Sequence, residues 1–227
     1  MGDQLTSRRS FLAASAVVGA SAFGAIPASA SEHGEEGMSG EMPPTEFVTE
    51  GEFEDDVDIL NYARLLEFLE ADFYRQALEN MSERDLVCSE PIRSFGDPIQ
   101  DRVYGDLQTI LEHEETHAEV LGATIEDLGG EPIDEPEFEF GAAVEEPMEF
   151  LATAALLEDT GVSAYAGAAP SIENAELVPP ALSIHSVEAR HASFLRVLSG
   201  EIGFPAAFDE PLSRAEVEEA ASQFIVQ

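Results

Sequence analysis

The sequence predicts an all-α fold built on four long helices. Apolar residues recur every three or four positions along four segments of the chain, which is the period of an amphipathic helix. Proline or glycine stands at most ends of these segments, and no alternating or hairpin pattern typical of strands competes with them. The 227 residues, 44% of them hydrophobic, suffice for one core. We therefore expect a single helical bundle preceded by an N-terminal tail.

The first two predicted helices flank a long connection. The first spans about Asp56–Met81 and the second about Pro98–Leu128, where Gly129-Gly130 ends it. The inward positions are apolar or aromatic except for one glutamate in the first helix and a glutamate and a histidine in the second. These positions are Leu60, Ala63, Glu67, Tyr74, Leu78 and Met81 in the first helix, and Val103, Leu107, Ile110, Glu114, His117, Leu121 and Leu128 in the second.

The third and fourth long helices each open with proline, which is favourable in the first turn. The third begins near Pro147 and closes before Pro170, and the fourth spans about Pro179–Gly200. An amphipathic segment, Arg214–Ile225, predicts a short C-terminal fifth helix, and one place for it is across the end of the bundle. The inward positions are Leu151, Ala155, Glu158, Val162 and Tyr165 in the third helix, and Ala181, Ile184, Glu188, His191, Leu195 and Leu198 in the fourth.

Polar residues interrupt these apolar stripes in a repeated order. The second and fourth helices each carry Glu-x-x-His, at Glu114–His117 and Glu188–His191, and this spacing lets both side chains reach one point. The first and third helices each carry a single inward glutamate, Glu67 or Glu158. Each of these is followed seven residues later by a tyrosine, although the chain has only 4 tyrosines. The order is Glu, Glu-x-x-His, Glu, Glu-x-x-His, so the third and fourth helices repeat the pattern of the first and second.

This order matches the ligand arrangement of helical bundles that bind two iron or two manganese ions. Four buried carboxylates would repel one another and lose their hydration, whereas two divalent cations would neutralise them. Oxygen ligands with one imidazole per metal suit Fe(II) or Mn(II), because zinc favours fewer, softer ligands and calcium or magnesium sites rarely need histidine. We therefore predict two Fe or two Mn ions as cofactors.

Four motifs in this order resemble the ferritin-like domain of the desiccation-related protein family, in a haloarchaeal form, over roughly residues 55–200. They are LEFLEADFY at 66–74, EETH at 114–117, LEDTGVSAYAG at 157–167 and EARH at 188–191. The resemblance implies a ferritin-like up-down-down-up four-helix bundle whose crossover joins the second and third helices. It also implies that Glu114 and Glu188 bridge the metals.

The same resemblance implies four terminal metal ligands and leaves some roles open. Glu70 lies one turn after Glu67 and is an alternative to it. Tyr74 and Tyr165 either donate hydrogen bonds to ligands or serve packing alone. His113 and His185 lie off the apolar stripes, so we expect them to be surface or satisfied core residues. The terminal ligands would be Glu67, His117, Glu158 and His191.

The charge balance is extreme: 47 acidic residues against 10 basic ones give a net charge of -37, and all ten basic residues are arginines. Such a chain has little with which to neutralise phosphates, so we expect no nucleic-acid partner. The acidic residues are spread along the whole chain, which favours a hydrated surface adapted to high salt. A polycationic partner or a cation-binding surface is the alternative.

The N-terminus has the pattern of an export signal. Ser7-Arg8-Arg9-Ser10-Phe11-Leu12 precedes an apolar, alanine-rich run and the small residues Ala28-Ser29-Ala30, which resembles a twin-arginine signal peptide cleaved after residue 30. The run of about 16 apolar residues is too short to span a membrane. We therefore predict a signal peptide (1–30), a disordered acidic linker (31–54) and a ferritin-like domain (55–227), exported to the cell envelope or medium.

Three functions stay open from the sequence. The first is an exported di-iron or di-manganese protein that reacts with O2, H2O2 or ferrous iron in stress protection. The second is a non-catalytic desiccation or stress protein in which the metal only stabilises the bundle, and the third is a manganese catalase. The same six ligands would serve all three, because fold and ligands do not fix function. Assembly into a homo-oligomer is also left open.

Overall fold

Four long helices form the body of the protein, as the sequence predicts. The computed structural model describes residues 51–90 and 92–226. Within these ranges the structure is helical, with one isolated β-bridge between Phe138 and Ile225. The α-helices are α1 (Asp56–Asn80), α2 (Glu83–Val87), α3 (Asp97–Gln100), α4 (Val103–Asp127), α5 (Pro147–Ala168), α6 (Val178–Leu198) and α7 (Arg214–Ser222), and short 3₁₀ turns span Ile92–Ser94, Gly141–Val144 and Ala169–Ser171.

Helices α1 and α4 pack side by side in opposite directions. Near the start of α1, the Arg64 side chain donates a hydrogen bond to the Ala118 carbonyl in α4, at 3.1 Å. Near the end of α1, the Leu78 carbonyl accepts one from the Tyr104 hydroxyl at the start of α4, at 3.2 Å. The early part of α1 therefore faces the late part of α4, so the two helices are antiparallel.

Helix α5 is antiparallel to both α1 and α6. Its Glu158 meets Tyr74 of α1, whereas its Tyr165 meets the earlier residue Glu67. Along α6 the order also reverses, because Asp159 pairs with Arg196 at the end of α6 while Tyr165 lies beside the first turns of that helix. The four long helices thus run up, down, down and up, which confirms the predicted topology.

The connection between α4 and α5 crosses the length of the bundle. It leaves the end of α4 beside Asn61, whose amide nitrogen donates to the Glu131 carbonyl and whose amide oxygen accepts from the Ile133 backbone N–H. It then reaches the Phe138 carbonyl, which accepts from Gln76 near the far end of α1. This is the crossover between the second and third long helices that the family resemblance implies.

Local sequence signals set most helix ends. The Asp55 side chain caps α1 by accepting from the Asp58 backbone N–H at 2.9 Å. Gly129 and Gly200 follow α4 and α6 with φ of +82° and +84°, a left-handed conformation that glycine adopts without strain. The start of α4 differs from the prediction near Pro98, because Arg102 has non-helical dihedrals and separates the single turn α3 from α4.

Helix α7 lies along the side of the bundle and does not cross its end. Residues after α6 turn back along α5, where the Leu212 backbone N–H donates to the Ser163 carbonyl at 3.2 Å. Helix α7 then packs against α5 through buried Val217 and Ala221, over the groove between α1 and α5. It ends three residues before the predicted Ile225, because that residue forms the β-bridge to the crossover.

No helix among residues 51–90 and 92–226 is long and apolar enough to cross a membrane. The predicted signal peptide and most of the predicted acidic linker, residues 31–50, lie outside the described residues. The main core holds Phe73 between the rings of Phe140 and Phe150, at 5.1 and 5.3 Å. This aromatic packing secures the crossover and α5 to α1 at the level just beyond Tyr74.

Candidate metal centre

The structure brings the six predicted ligands together in the centre of the bundle. Each long helix turns its apolar stripe inward, so the polar interruptions of the four stripes meet at one level. Four of the carboxylates are at most 1% exposed, and both imidazoles are largely buried. The assembled residues are Glu67 from α1, Glu114 and His117 from α4, Glu158 from α5, and Glu188 and His191 from α6.

These side chains form two overlapping groups, each able to hold one metal ion. Within a group, one ligand atom from each residue lies within 4.8 Å of the others. Glu114 and Glu188 belong to both groups, which is the arrangement expected of carboxylates that bridge two ions. The first group is completed by Glu67 and His117, and the second by Glu158 and His191.

In the first group three carboxylates surround one nitrogen of His117. Its Nδ1 lies 3.1 Å from Glu67 Oε2, 3.2 Å from Glu114 Oε2 and 3.0 Å from Glu188 Oε1. A single N–H cannot serve three acceptors well, whereas a cation beside this nitrogen could take oxygen ligands from all three. The geometry therefore marks Nδ1 as the atom of His117 suited to bind a metal.

In the second group, carboxylate oxygens surround one nitrogen of His191 in the same way. Its Nδ1 lies 2.9 Å from Glu114 Oε1 and 3.3 Å from Glu158 Oε2, and Glu188 Oε2 is 3.9 Å away. Although these distances are short, Nδ1 and the three named oxygens are buried without a hydrogen bond among the described residues. Buried polar atoms nearly always have a hydrogen-bond partner. One nitrogen and three oxygens that face one point without such a partner are suited to coordinate a metal ion.

Both predicted tyrosines donate hydrogen bonds to terminal carboxylates. Tyr74 Oη lies 2.6 Å from Glu158 Oε1, and Tyr165 Oη lies 2.5 Å from Glu67 Oε1. Each bond joins α1 to α5. The two bonds are equivalent, because each tyrosine lies seven residues after the glutamate of its own helix and donates to the glutamate of the other helix. The tyrosines thus orient one oxygen of each of these two glutamates, and the other oxygen could bind a metal. The alternative that they serve packing alone does not hold.

Glu70 is buried beside the site but belongs to neither group. It is 3% exposed, and its carboxylate lies next to Gly161 of α5, where a Cβ atom would come within 3.0 Å of Oε1. Burial and the carboxylates of Glu158 and Glu188 raise its pKa well above the ordinary value. Glu67 offers an oxygen to the first ligand group and Glu70 offers none to either, so the geometry favours Glu67 over Glu70.

His113 contacts a ligand, which the sequence reasoning missed. It lies at the surface of α4, yet its Nδ1 is 3.0 Å from His191 Nε2, and the two rings stack at 5.2 Å. The tautomers of the two rings decide which of these nitrogens donates. The contact joins α4 to α6, two helices that are far apart in sequence. The apolar pattern of α4 alone therefore could not predict it. His185, by contrast, lies in a hollow beside Leu182.

Burial and mutual repulsion set the protonation of the site. Burial, reinforced by Glu158, raises the pKa of Glu114 to about 7. Burial with Glu114 and Glu67 raises the pKa of Glu188 well above its ordinary range. Burial opposes charge on His191, but the carboxylates of Glu114 and Glu158 outweigh it and raise its pKa to about 10. Protons on these groups and on His117 therefore balance the carboxylates at neutral pH, and cations could replace them.

Comparison with known proteins agrees with this geometry. A family model described as a ferritin-like domain matches residues 55–201. This range contains all four long helices, both Glu-x-x-His pairs and the two tyrosines, and it stops before α7. A search among curated proteins found no match.

Proposed function

The chain belongs to the ferritin-like domain family, and we propose that it binds two Fe or two Mn ions and reacts with O2, H2O2 or ferrous iron. The observation that carries this proposal is the pair of overlapping ligand groups that share Glu114 and Glu188. Each group offers four ligand residues, fewer than the roughly six positions of the octahedral geometry that Mn(II) takes with oxygen ligands. Open coordination positions would remain for a small oxidant.

When bound, two divalent ions would supply two electrons, enough to reduce O2 and two protons to H2O2, or H2O2 and two protons to two waters. The residues of the chain would position the ions and exclude water from the site. Glu114 and Glu188, which belong to both groups, would hold the two ions, while Tyr74 and Tyr165 fix the carboxylates of Glu158 and Glu67. The surrounding apolar core limits water at the site, which strengthens every electrostatic interaction within it.

Metal analysis followed by oxidant assays on the same sample tests the proposal. We expect about two Fe or Mn per chain, as the two ligand groups require, together with consumption of O2 or H2O2. Release of O2 from H2O2 without a reductant would identify a manganese catalase. Two metals without turnover, but with a higher melting temperature, would support the stabilising role instead. Absence of bound metal would contradict the proposal.

Substitutions in the shared ligands give the matched test. Glu114→Ala removes a carboxylate from both groups, and His191→Ala removes the only imidazole of the second. We expect both to abolish turnover and to lower the metal content. Glu119→Ala, an exposed position on the same helix, should leave both unchanged. Full activity in either ligand variant would show that the site is wrongly assigned.

We propose export by the twin-arginine route and a role in stress protection, supported by the Ser7–Leu12 motif and by the acidic composition. This route carries folded proteins, so metal could be inserted before export. Cell fractionation of the wild-type chain and an Arg8→Lys/Arg9→Lys variant tests the route. We expect the variant to remain inside the cell, and equal export of both chains would contradict it. Self-association is to be measured on the same exported protein.

A further inference from the structure

An apolar cavity lies beside the metal centre, at the end of the bundle where α1 begins and α4 ends. Its volume is about 30 Å³, more than the roughly 10–15 Å³ that one small molecule such as water requires. All four long helices contribute to its wall, and almost all of the exposed wall is carbon. The wall includes Leu60, Leu66, Leu121, Ala164, Tyr165 and Ala181.

A second, larger hollow adjoins this cavity on the outer side. It measures about 200 Å³ and is also bordered mainly by apolar side chains. The two share Tyr165, Ala169, Ile172 and Ala181 as common walls. The outer hollow ends at Leu182, whose 55% exposure places it at the protein surface. The two neighbouring spaces make up an apolar region between the surface at Leu182 and the ring of Tyr165, divided by these shared side chains.

The inner end of this region is one side chain away from a predicted ligand. The Tyr165 ring borders the cavity, and its hydroxyl donates to Glu67 Oε1 at 2.5 Å. A molecule held against this ring would therefore lie next to the first ligand group. The cavity wall exposes almost no polar surface. The Tyr165 hydroxyl is engaged with Glu67, and the Asp56 carboxylate accepts from the backbone N–H groups of Glu173 and Asn174.

The wall chemistry discriminates between the small molecules that the proposed function concerns. Ferrous ions and H2O2 would lose hydration without gaining polar partners there, which is unfavourable. Apolar cavities of this kind stay dry and accept apolar gases. We propose that this cavity binds dioxygen and delivers it to the metal centre past Tyr165. The delivery role rests on the proposed function, whereas gas binding does not.

Xenon serves as the probe for the cavity, because it is apolar and detectable in crystals under pressure. We expect a xenon site beside Tyr165 in wild-type protein with or without metal, and its loss in Ala181→Phe, which fills the shared wall. Ala206→Phe, at an exposed position on another face, is the matched control and should keep the site. Absence of xenon from the wild-type cavity would overturn the proposal.

Oxidation rates of Fe(II)-loaded protein then test delivery. We expect Ala181→Phe to slow oxidation by O2 roughly tenfold, equivalent to about 1.4 kcal/mol in the barrier, and to leave the rate with H2O2 unchanged. The smaller Ala181→Leu should act in the same direction, which guards against misfolding of the phenylalanine variant. Equal O2 rates in wild type and both variants, with metal retained, would overturn delivery. If wild-type protein binds xenon but reacts with neither oxidant, the proposed redox function fails and the delivery role fails with it.

Discussion

At the scale of single residues, the two predicted histidine ligands differ in their hydrogen-bond partners. Nε2 of His191 is tied to His113 at 3.0 Å, with the two rings nearly parallel at 13°. Within the described part of the chain, Nε2 of His117 has no such partner. A hydrogen bond to the second nitrogen of a ligating histidine fixes its tautomer and orientation. The second ligand group is therefore better organised than the first.

Replacing His113 should weaken the binding of one metal ion and leave the binding of the other unchanged. We expect His113→Ala to lower the affinity of one ion roughly 10–100-fold, the usual effect of losing such a partner. His185→Ala removes a histidine away from the site and should change neither affinity. Titration of metal-stripped protein with Fe(II) or Mn(II), followed by calorimetry, measures both steps. Two unchanged binding steps would show that the contact with His113 does not support His191.

Glu70 and Glu67 are one turn apart, and substituting each of them should show which one binds the metal. Because burial and nearby carboxylates raise the pKa of Glu70, glutamine should replace its neutral acid with little effect on metal content. Glu67→Gln should lose metal, because it replaces a carboxylate of the first ligand group with a neutral amide. Metal content after dialysis decides the matter. Equal losses in both variants would make Glu70 a ligand as well.

Metal binding should release protons at neutral pH. His191, with its pKa raised to about 10, and His117, whose pKa is raised by Glu67 and its neighbours despite burial, are both protonated there. Each must lose a proton before Nδ1 can bind a metal, so affinity should rise with pH until these groups are deprotonated. Calorimetry in buffers of different ionisation enthalpy measures the released protons. Binding without proton release would contradict this protonation state.

At the scale of helices, two buried hydrogen bonds tie α1 to α5. Tyr74 of α1 donates to Glu158, and Tyr165 of α5 donates to Glu67. We expect Tyr165→Phe to lower the free energy of unfolding of metal-stripped protein by about 1.5–3 kcal/mol, the usual value for a hydrogen bond to a charged group. Tyr104→Phe, which loses a bond to a carbonyl, is the control and should cost less. Urea unfolding measures both, and equal losses would contradict the argument.

The long helices could be predicted because their signals are local. Apolar period, proline in the first turn and glycine after the last depend on neighbouring residues, and so does Glu-x-x-His. The position of α7 could not be read in this way, because it depends on how Leu212 meets Ser163 across the fold. The role of His113 depends on a helix 78 residues away in sequence. Repeats within the chain were sufficient to predict the ligand set, whereas contacts between unlike segments required the structure.

At the scale of the whole molecule, negative charge dominates the few ion pairs. The chain carries a net charge of -37, while within residues 51–90 and 92–226 partly exposed pairs such as Arg196–Asp159 and Arg214–Asp58 are few. Such pairs contribute about 0–1 kcal/mol each, and salt weakens them. Repulsion among the unpaired carboxylates has the opposite sign and acts over the whole surface. We therefore expect repulsion to decide how salt affects stability.

Raising the salt concentration should stabilise the fold until repulsion is screened. The screening length falls from about 10 Å at 0.1 M to about 3 Å at 1 M salt, so surface carboxylates cease to repel one another, whereas the buried site is screened far less. We expect the melting temperature of the metal-stripped protein to rise over this range, equally in NaCl and KCl, because screening depends on ionic strength. Calorimetric melting in both salts measures it. A melting temperature that is constant or falls with salt would mean that the ion pairs, and not the unbalanced charge, control the stability of this surface.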